Sequence, residues 1–432
     1  MTTATAREAA IGDGDRDGAL QRYRRVRART EKLAAPLTAE DQTVQSMSDV
    51  SPTKWHRAHT SWFFEQFLLA RFAPSYSAFD PLYGYLFNSY YEGAGARHPR
   101  PVRGLLSRPG VDEIARYRAH VDAAMGSLLA RASDVRWSEL APLLELGLNH
   151  EEQHQELILM DIKHVFGLNP LDPAYVKPAP AIHRPAAALD YIEFGEGLRE
   201  IGHRGAGFAF DNEGPRHKIW LDDFRLGSRL ATNGEYLAFI EDGGYRRAEF
   251  WLSEGWAAVQ QQGWTAPLYW RCDDGAWTIF TLAGRRPLDR DEPVCHVSYY
   301  EADAFARWCG KRLPSEAEWE TAAAESNLAP GGNLMDRGRF HPEATGPVPS
   351  GTLHQMIGDV WEWTASAYSA YPGFRPLAGT IGEYNGKFMS NQMVLRGGAA
   401  VTPEGHVRLS YRNFFPPASR WAFGGIRLAE DA

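Results

Sequence analysis

The stretch His150-Glu151-Glu152-Gln153-His154-Gln155-Glu156 decides how the first half of this chain folds. It lies in an apolar-rich helical pattern read from Pro142 to Phe166, stopped by Gly167 and Asn169-Pro170. Helical residues four apart project from one face about one turn apart, so His150 and His154 can place two imidazoles on one metal ion. His164 cannot join them, because at 1.5 Å rise per residue it lies about 15 Å further along the same helix. A third ligand must come from another helix, and Trp55-His56-Arg57-Ala58-His59 offers two candidates. His59 shares a face with Trp55, Trp62 and Gln66, whereas His56 faces Phe63 and Phe67, and periodicity leaves the choice open. Three neutral histidines without a thiolate would leave coordination positions open on zinc or ferrous ion, which suits catalysis better than a structural site.

Three more helical patterns accompany this one. One runs from about Leu20 to Leu33 and another from Val111 to Leu129. A third starts at Ser51-Pro52, with Ser as cap and Pro at the first helical position, and reaches about Phe72. Together they predict a four-helix bundle over residues 1–168. The exception is residues 73–110, an aromatic, Gly/Pro-rich connection of a length that usually carries function. It contains Asn88-Ser89-Tyr90-Tyr91-Glu92 and His98-Pro99-Arg100-Pro101-Val102-Arg103. Phenols can donate a proton to a reduced oxygen species, and guanidinium groups bind carboxylates bidentately. Neighbours in an extended segment point to opposite sides, so only one of Tyr90 and Tyr91 is expected to face a site.

Residues 169–189, with Pro170, Pro173, Pro178, Pro180 and Pro185, read as a semi-rigid linker. Residues 190–432 alternate strand-like runs such as Lys218 to Leu221 with Gly-rich turns and two short helices, near Gly234 to Ile240 and Tyr300 to Trp308, which predicts an α+β domain. The 432 residues, 44% hydrophobic and 23% charged, describe a multidomain globular protein. A formal charge of −8 argues against nucleic acid as a partner, and the cluster Arg22, Arg24, Arg25, Arg27 and Arg29 reads as a solvated helix face. No apolar run reaches the roughly 20 residues of a membrane span. Three cysteines, Cys272, Cys295 and Cys309, cannot form a closed disulfide framework. With no apolar leader and with Asp13, Asp15 and Asp17 near the start, a cytoplasmic location is expected. Oligomeric state is not legible from these features.

The second half adds specific motifs: Pro293-Val294-Cys295-His296-Val297-Ser298, Lys311-Arg312-Leu313-Pro314-Ser315-Glu316-Ala317-Glu318-Trp319-Glu320, Gly358-Asp359-Val360-Trp361-Glu362-Trp363, Leu395-Arg396-Gly397-Gly398 and Gly425-Ile426-Arg427-Leu428. They resemble the formylglycine-generating-enzyme (sulfatase-modifying factor) fold, a variant of the C-type lectin fold, over most of residues 190–432. The first half is similar to DinB-like metal-binding four-helix bundles. The two in this order resemble the iron-dependent sulfoxide synthases of ergothioneine biosynthesis over essentially the whole chain. That resemblance implies Fe(2+) as cofactor and His59, His150 and His154 as its ligands, deciding between His56 and His59. It implies that Gln153 and Asn413 help hold the trimethylated amino acid hercynine. From the chemistry of their side chains, Tyr90 or Tyr91 is expected to be the proton donor, and Arg100 and Arg103 to meet the carboxylate of the thiol substrate. Glu156 points off the ligand face and is expected to support or pack the helix.

One departure bears on the thiol. Members that use γ-glutamylcysteine carry Asn-Trp-Asp where this chain has Asn413-Phe414-Phe415, and the missing Asp removes the partner of the γ-glutamyl amino group. Phe414 and Phe415 would form an apolar wall, and free L-cysteine is the expected thiol; the run Tyr90-Tyr91 followed by Arg100 and Arg103 matches the cysteine-using branch. The implied partners are hercynine, L-cysteine and O2. An ovothiol-type synthase acting on histidine is the near alternative, but these residues include no G-x-G-type methyltransferase segment. Formylglycine-generating activity needs reactive cysteines in the C-terminal region, and the last one here is Cys309. A DinB-like thiol transferase or a lectin-like binding module would leave one half unexplained.

Overall fold

Four long helices form the first unit of the computed structural model, which describes residues 15–178, 184–205, 207–326, 328 and 331–432. Asp13 and Pro180, used above, lie outside the described residues. The helices are α1 (Arg16–Ala34), α2 (Thr53–Phe64), α3 (Val111–Arg131) and α4 (Asp134–Gly167). Helix α1 packs on α3 and α4, and α2 packs on the same two, around Trp55, Trp62, Phe63, Phe64, Val121, Leu144 and Leu148.

Two helix starts differ from the sequence reading. Helix α4 begins at Asp134, capped by the Ser133 side chain, and Pro142 lies inside it. Proline removes one helical hydrogen bond, but buried Leu140 and Leu144 on either side hold the helix together across it. Ser51 is not the cap of α2: its backbone N–H donates to Asp161 Oδ2 at 2.8 Å, and Pro52 holds the cap position. Helix α2 then continues through a π-helical turn, Glu65–Leu69, to Phe72.

In the second unit, a three-stranded sheet pairs Phe224–Gly227 with Tyr191–Phe194 on one side and Ala429–Asp431 on the other, tying the end of the unit to its beginning. A four-stranded sheet runs in the order Asn413–Phe415, Met393–Arg396, Trp361–Ala367, Gly424–Gly425, with only the last pair parallel. The two expected short helices are Asn233–Glu241 and Tyr299–Trp308, and Ser253–Gln262 and Glu316–Glu325 are additional ones. The last opens on a capping box, Ser315 with Glu318.

The linker does not separate two independent cores. Ile158, Leu159, Met160, Ile162 and Phe166 of α4 belong to the core that holds Leu230, Tyr236, Phe280, Val360 and Trp361. Helix α4 is therefore shared, and His150 and His154 sit where it passes from one unit to the other. Glu156 clamps that passage: its carboxylate accepts from Trp361 Nε1 at 2.6 Å and Thr402 Oγ1 at 2.5 Å, and burial pushes its pKa up to about 7. Among the described residues no helix is long and apolar enough to cross a membrane.

Candidate metal centre

Orientation of the ligand helix is set by a buried charge cluster. Glu151 is fully buried and accepts from Arg27 Nη1 at 2.9 Å, Arg118 Nη2 at 3.0 Å and Thr30 Oγ1 at 2.6 Å. Burial opposes its charge, but Arg27 and Arg118 outweigh that and hold its pKa down at about 2. With Glu151 locked toward α1 and α3, its neighbour His150 and, one turn on, His154 face α2.

There His59 meets them. One ligand atom from each of His59, His150 and His154 lies within 4.8 Å of the others, and all three residues are buried. The Nδ1–H of His59 is directed at the Phe87 carbonyl, 2.6 Å away, which leaves Nε2 for the site. That Nε2 and both nitrogens of His150 are buried without a protein partner. Buried nitrogens without partners are rare, and unpartnered nitrogens on His59 and His150, with a nitrogen of His154 close by, fit a metal ion. Burial keeps all three imidazoles neutral, holding the pKa of His150 down at about 3 and those of His59 and His154 well below normal, as metal binding requires.

The second candidate from the sequence, His56, lies behind the triad. Its Nδ1 is 2.8 Å from Nδ1 of His154 and its Nε2 is 2.9 Å from Asp161 Oδ2. The consistent tautomers have His154 donating Nδ1–H to His56, and His56 donating Nε2–H to Asp161, so that His154 presents Nε2 to the metal. Such outer partners commonly orient a ligating histidine.

A cavity of about 360 Å³ opens beside His154, between the two units. Its walls bring together the expected Tyr90, Arg100, Arg103, Gln153, Asn413, Phe414 and Phe415. Arg103 is buried, with Nη1 on Ser51 Oγ at 3.0 Å and its guanidinium carbon 3.4 Å above the Trp55 ring. Among the described residues no carboxylate lies in ion-pair range of it. Burial, followed by the nearby Arg100 and Arg97, pulls its pKa down to about 8. Arg103 is a cation short of an anion. Arg100 is exposed at the rim and donates to the Asp49 carbonyl. The Gln153 amide is already engaged, accepting from Tyr384 OH and donating to Tyr411 OH at 2.7 Å. Asn413 Oδ1 accepts from the Phe414 backbone, and the Phe414 ring stacks on Tyr368 at 4.0 Å.

Tyr90 and Tyr91 do not diverge as expected. Their rings lie 4.9 Å apart, because the chain turns at Tyr91 into the 3₁₀ helix Glu92–Ala94 and is not extended there. Tyr91 is buried against Trp62, while Tyr90 reaches the cavity. A third phenol, missed in the sequence, joins them from the second unit. The Tyr384 ring lies 5.5 Å from that of Tyr90 and 6.0 Å from the imidazole of His150. A single tyrosine in Ile381-Gly382-Glu383-Tyr384-Asn385-Gly386 carries no local signal; only the tertiary fold delivers it. Burial raises the pKa of all three phenols, so they remain protonated at neutral pH.

Residues 22–158 match the DinB superfamily and residues 188–432 match the sulfatase-modifying factor enzyme 1-like domain, so this is a two-domain protein of that composite class. The chain is 33% identical over 410 residues to the hercynine oxygenase of Mycolicibacterium thermoresistibile, covering 88% of each chain. It is 32% identical to that of Mycobacterium tuberculosis, over 94% of this chain and 97% of the relative. The formylglycine-generating enzyme of Streptomyces coelicolor is 30% identical over 61% of this chain and 96% of its own length. The chain belongs to the hercynine oxygenase family and is an oxygenase.

Proposed function

We propose that this chain is a sulfoxide synthase of ergothioneine biosynthesis. It joins the sulfur of L-cysteine to C2 of the hercynine imidazole and oxidises that sulfur to give hercynylcysteine sulfoxide. The balance closes with one O2: a C–H and an S–H bond are lost, a C–S and an S–O bond form, and the second oxygen leaves as water. The observation that carries the reading is a single cavity lined both by His154 of a metal-competent histidine triad and by a buried guanidinium without an anion. A ferrous ion on His59, His150 and His154 would keep open coordination positions and supply the dioxygen chemistry.

The protein's own groups would do the rest. Arg103, with Arg100 at the rim, pairs with the carboxylate of cysteine. Gln153 and Asn413 contact hercynine, Gln153 by exchanging one of its phenol partners for the substrate. Tyr90, Tyr91 and Tyr384 hold phenolic protons beside the site, and one of the pair Tyr90 and Tyr91 delivers the proton that the reduced oxygen needs. Phe414 and Phe415 present an apolar wall to the larger γ-glutamylcysteine, whose ammonium group would be costly to bury there. The second domain, read as a C-type-lectin variant, shapes the pocket and contributes no metal ligand.

The test is anaerobic loading with Fe(II), then mass spectrometry after O2 is admitted with hercynine or histidine, each paired with cysteine or γ-glutamylcysteine. Hercynine with cysteine should give the dominant sulfoxide. A dominant product from histidine would replace this reading with the ovothiol-type one.

A further inference from the structure

Arg103 is connected to two of the three triad histidines by separate routes. On one side Nη1 donates to Ser51 Oγ at 3.0 Å, the Ser51 backbone N–H donates to Asp161 Oδ2 at 2.8 Å, that oxygen accepts from His56 Nε2 at 2.9 Å, and His56 Nδ1 meets His154 Nδ1 at 2.8 Å. On the other side the guanidinium lies 3.4 Å above Trp55, and the Trp55 ring is stacked on His59 at 4.7 Å with only 13° between planes. Ser51, Trp55, His56, Arg103 and Asp161 are all buried.

We propose that a substrate carboxylate at Arg103 and the metal ion at His59, His150 and His154 bind cooperatively, each strengthening the other. The inference rests on the assignment of Arg103 to the carboxylate of the thiol substrate. Its sign follows from charge. A buried guanidinium without an anion and a divalent cation are like charges in a region where water screens little, so each opposes the other. A carboxylate on the guanidinium cancels that opposition. Geometry works in the same direction: a bidentate carboxylate fixes the guanidinium plane on Trp55 and its Nη1 on Ser51, and these two supports hold His59 directly and His154 through Asp161 and His56. Ser51, His56, Trp55 and Asp161 act here as positioning residues. One consequence is an order of events, in which metal-loaded protein captures the amino-acid thiol and metal-free protein holds it poorly.

Linkage makes the effect measurable from both ends, because the factor by which one ligand tightens the other must be the same in each direction. The experiment is calorimetric titration of the metal-free full chain with cobalt(II), a redox-stable stand-in for the ferrous ion, with and without saturating L-alanine. Alanine has the carboxylate and ammonium groups of an amino acid and no sulfur to ligate the metal; its weak cobalt complex in solution is corrected for. The expected result is about tenfold tighter cobalt binding with alanine, within the usual range of coupling between sites, and tightening of alanine by the same factor with cobalt. Arg103→Met should bind cobalt at least as tightly as the alanine-free wild type and lose the response to alanine. Should that variant fail to fold, the two wild-type factors decide alone. Alanine that binds through Arg103 while cobalt affinity stays unchanged would overturn the coupling and leave the carboxylate assignment standing. Absence of Arg103-dependent alanine binding would remove that assignment, and the coupling with it.

Discussion

Replacing His56 separates a positioning histidine from a ligand. In His56→Phe an aromatic ring, slightly larger, is kept, but Nδ1 of His154 loses its partner at 2.8 Å and Asp161 loses the donor at 2.9 Å. His154 is then free to rotate or to adopt the wrong tautomer. Loss of such an outer partner commonly costs ten- to a hundredfold in metal affinity, about 1.4 to 2.8 kcal/mol. Asp161, 3% exposed and left with the Ser51 N–H, adds a stability cost of about 1 to 3 kcal/mol for an under-satisfied buried carboxylate. The assay is cobalt(II) titration of the purified variant alongside its thermal unfolding and turnover with Fe(II). We expect one metal per chain, bound ten- to a hundredfold more weakly. His59→Ala, which removes a ligand, should abolish iron-dependent turnover outright. Wild-type metal affinity in His56→Phe would show that His56 does not position His154, and normal turnover in His59→Ala with loss in His56→Ala would show that His56, not His59, is the ligand.

Phenylalanine at whichever of Tyr90 and Tyr91 donates the proton should divert oxygen toward cysteine sulfinate, read as the sulfoxide-to-sulfinate ratio; unchanged ratios in both variants, with a shift in Tyr384→Phe, would move the role to Tyr384. Arg103→Ala should weaken cysteine binding by about 1.5 to 3 kcal/mol, the range for a hydrogen bond to a charged group, in equilibrium binding to the metal-loaded protein. A higher kcat/KM for γ-glutamylcysteine than for cysteine would contradict the role given to Phe414 and Phe415. Glu151→Gln should lower stability by about 1.5 to 3 kcal/mol in denaturant unfolding, because Arg27 and Arg118 lose their shared buried carboxylate and keep only the more exposed Asp122 and Glu31. In the wild type the Glu151 pKa lies at about 2 against 4.5 in the unfolded chain. Its contribution is therefore complete above pH 4.5 and drains away as pH falls toward 2, by about 3 kcal/mol in all, and the Gln variant should lack that part of the acid dependence.

The parts of this site that follow helical periodicity were legible in the sequence. His150 and His154 share a face because they are four residues apart, and His59 could be set beside Trp55 and Trp62 for the same reason. The choice between His56 and His59 was not legible from periodicity, because both are inward: His56 is 2% exposed and His59 0%. Only the partner on the far side distinguishes them, Asp161 for one and the open site for the other. Tyr384 was invisible for a different reason, since it enters from a segment more than two hundred residues after His150 and owes its place to packing between units. The apparent boundary at the proline-rich linker was misleading in energetic terms. The last turns of α4 place Ile158, Leu159, Ile162 and Phe166 in the second core, and a helix-period pattern does not say which neighbour it faces. The close placement of the Tyr90 and Tyr91 rings depended on a local 3₁₀ turn that alternation rules do not anticipate.

Sulfoxide synthesis by this chain is tested by the fate of isotopic oxygen. Full-length protein loaded with Fe(II) under anaerobic conditions and given hercynine and L-cysteine should, on admission of ¹⁸O2, yield a C–S-linked product carrying one heavy oxygen. Product without the label, or cysteine sulfinate as the sole oxidised sulfur species in the wild type, would contradict it.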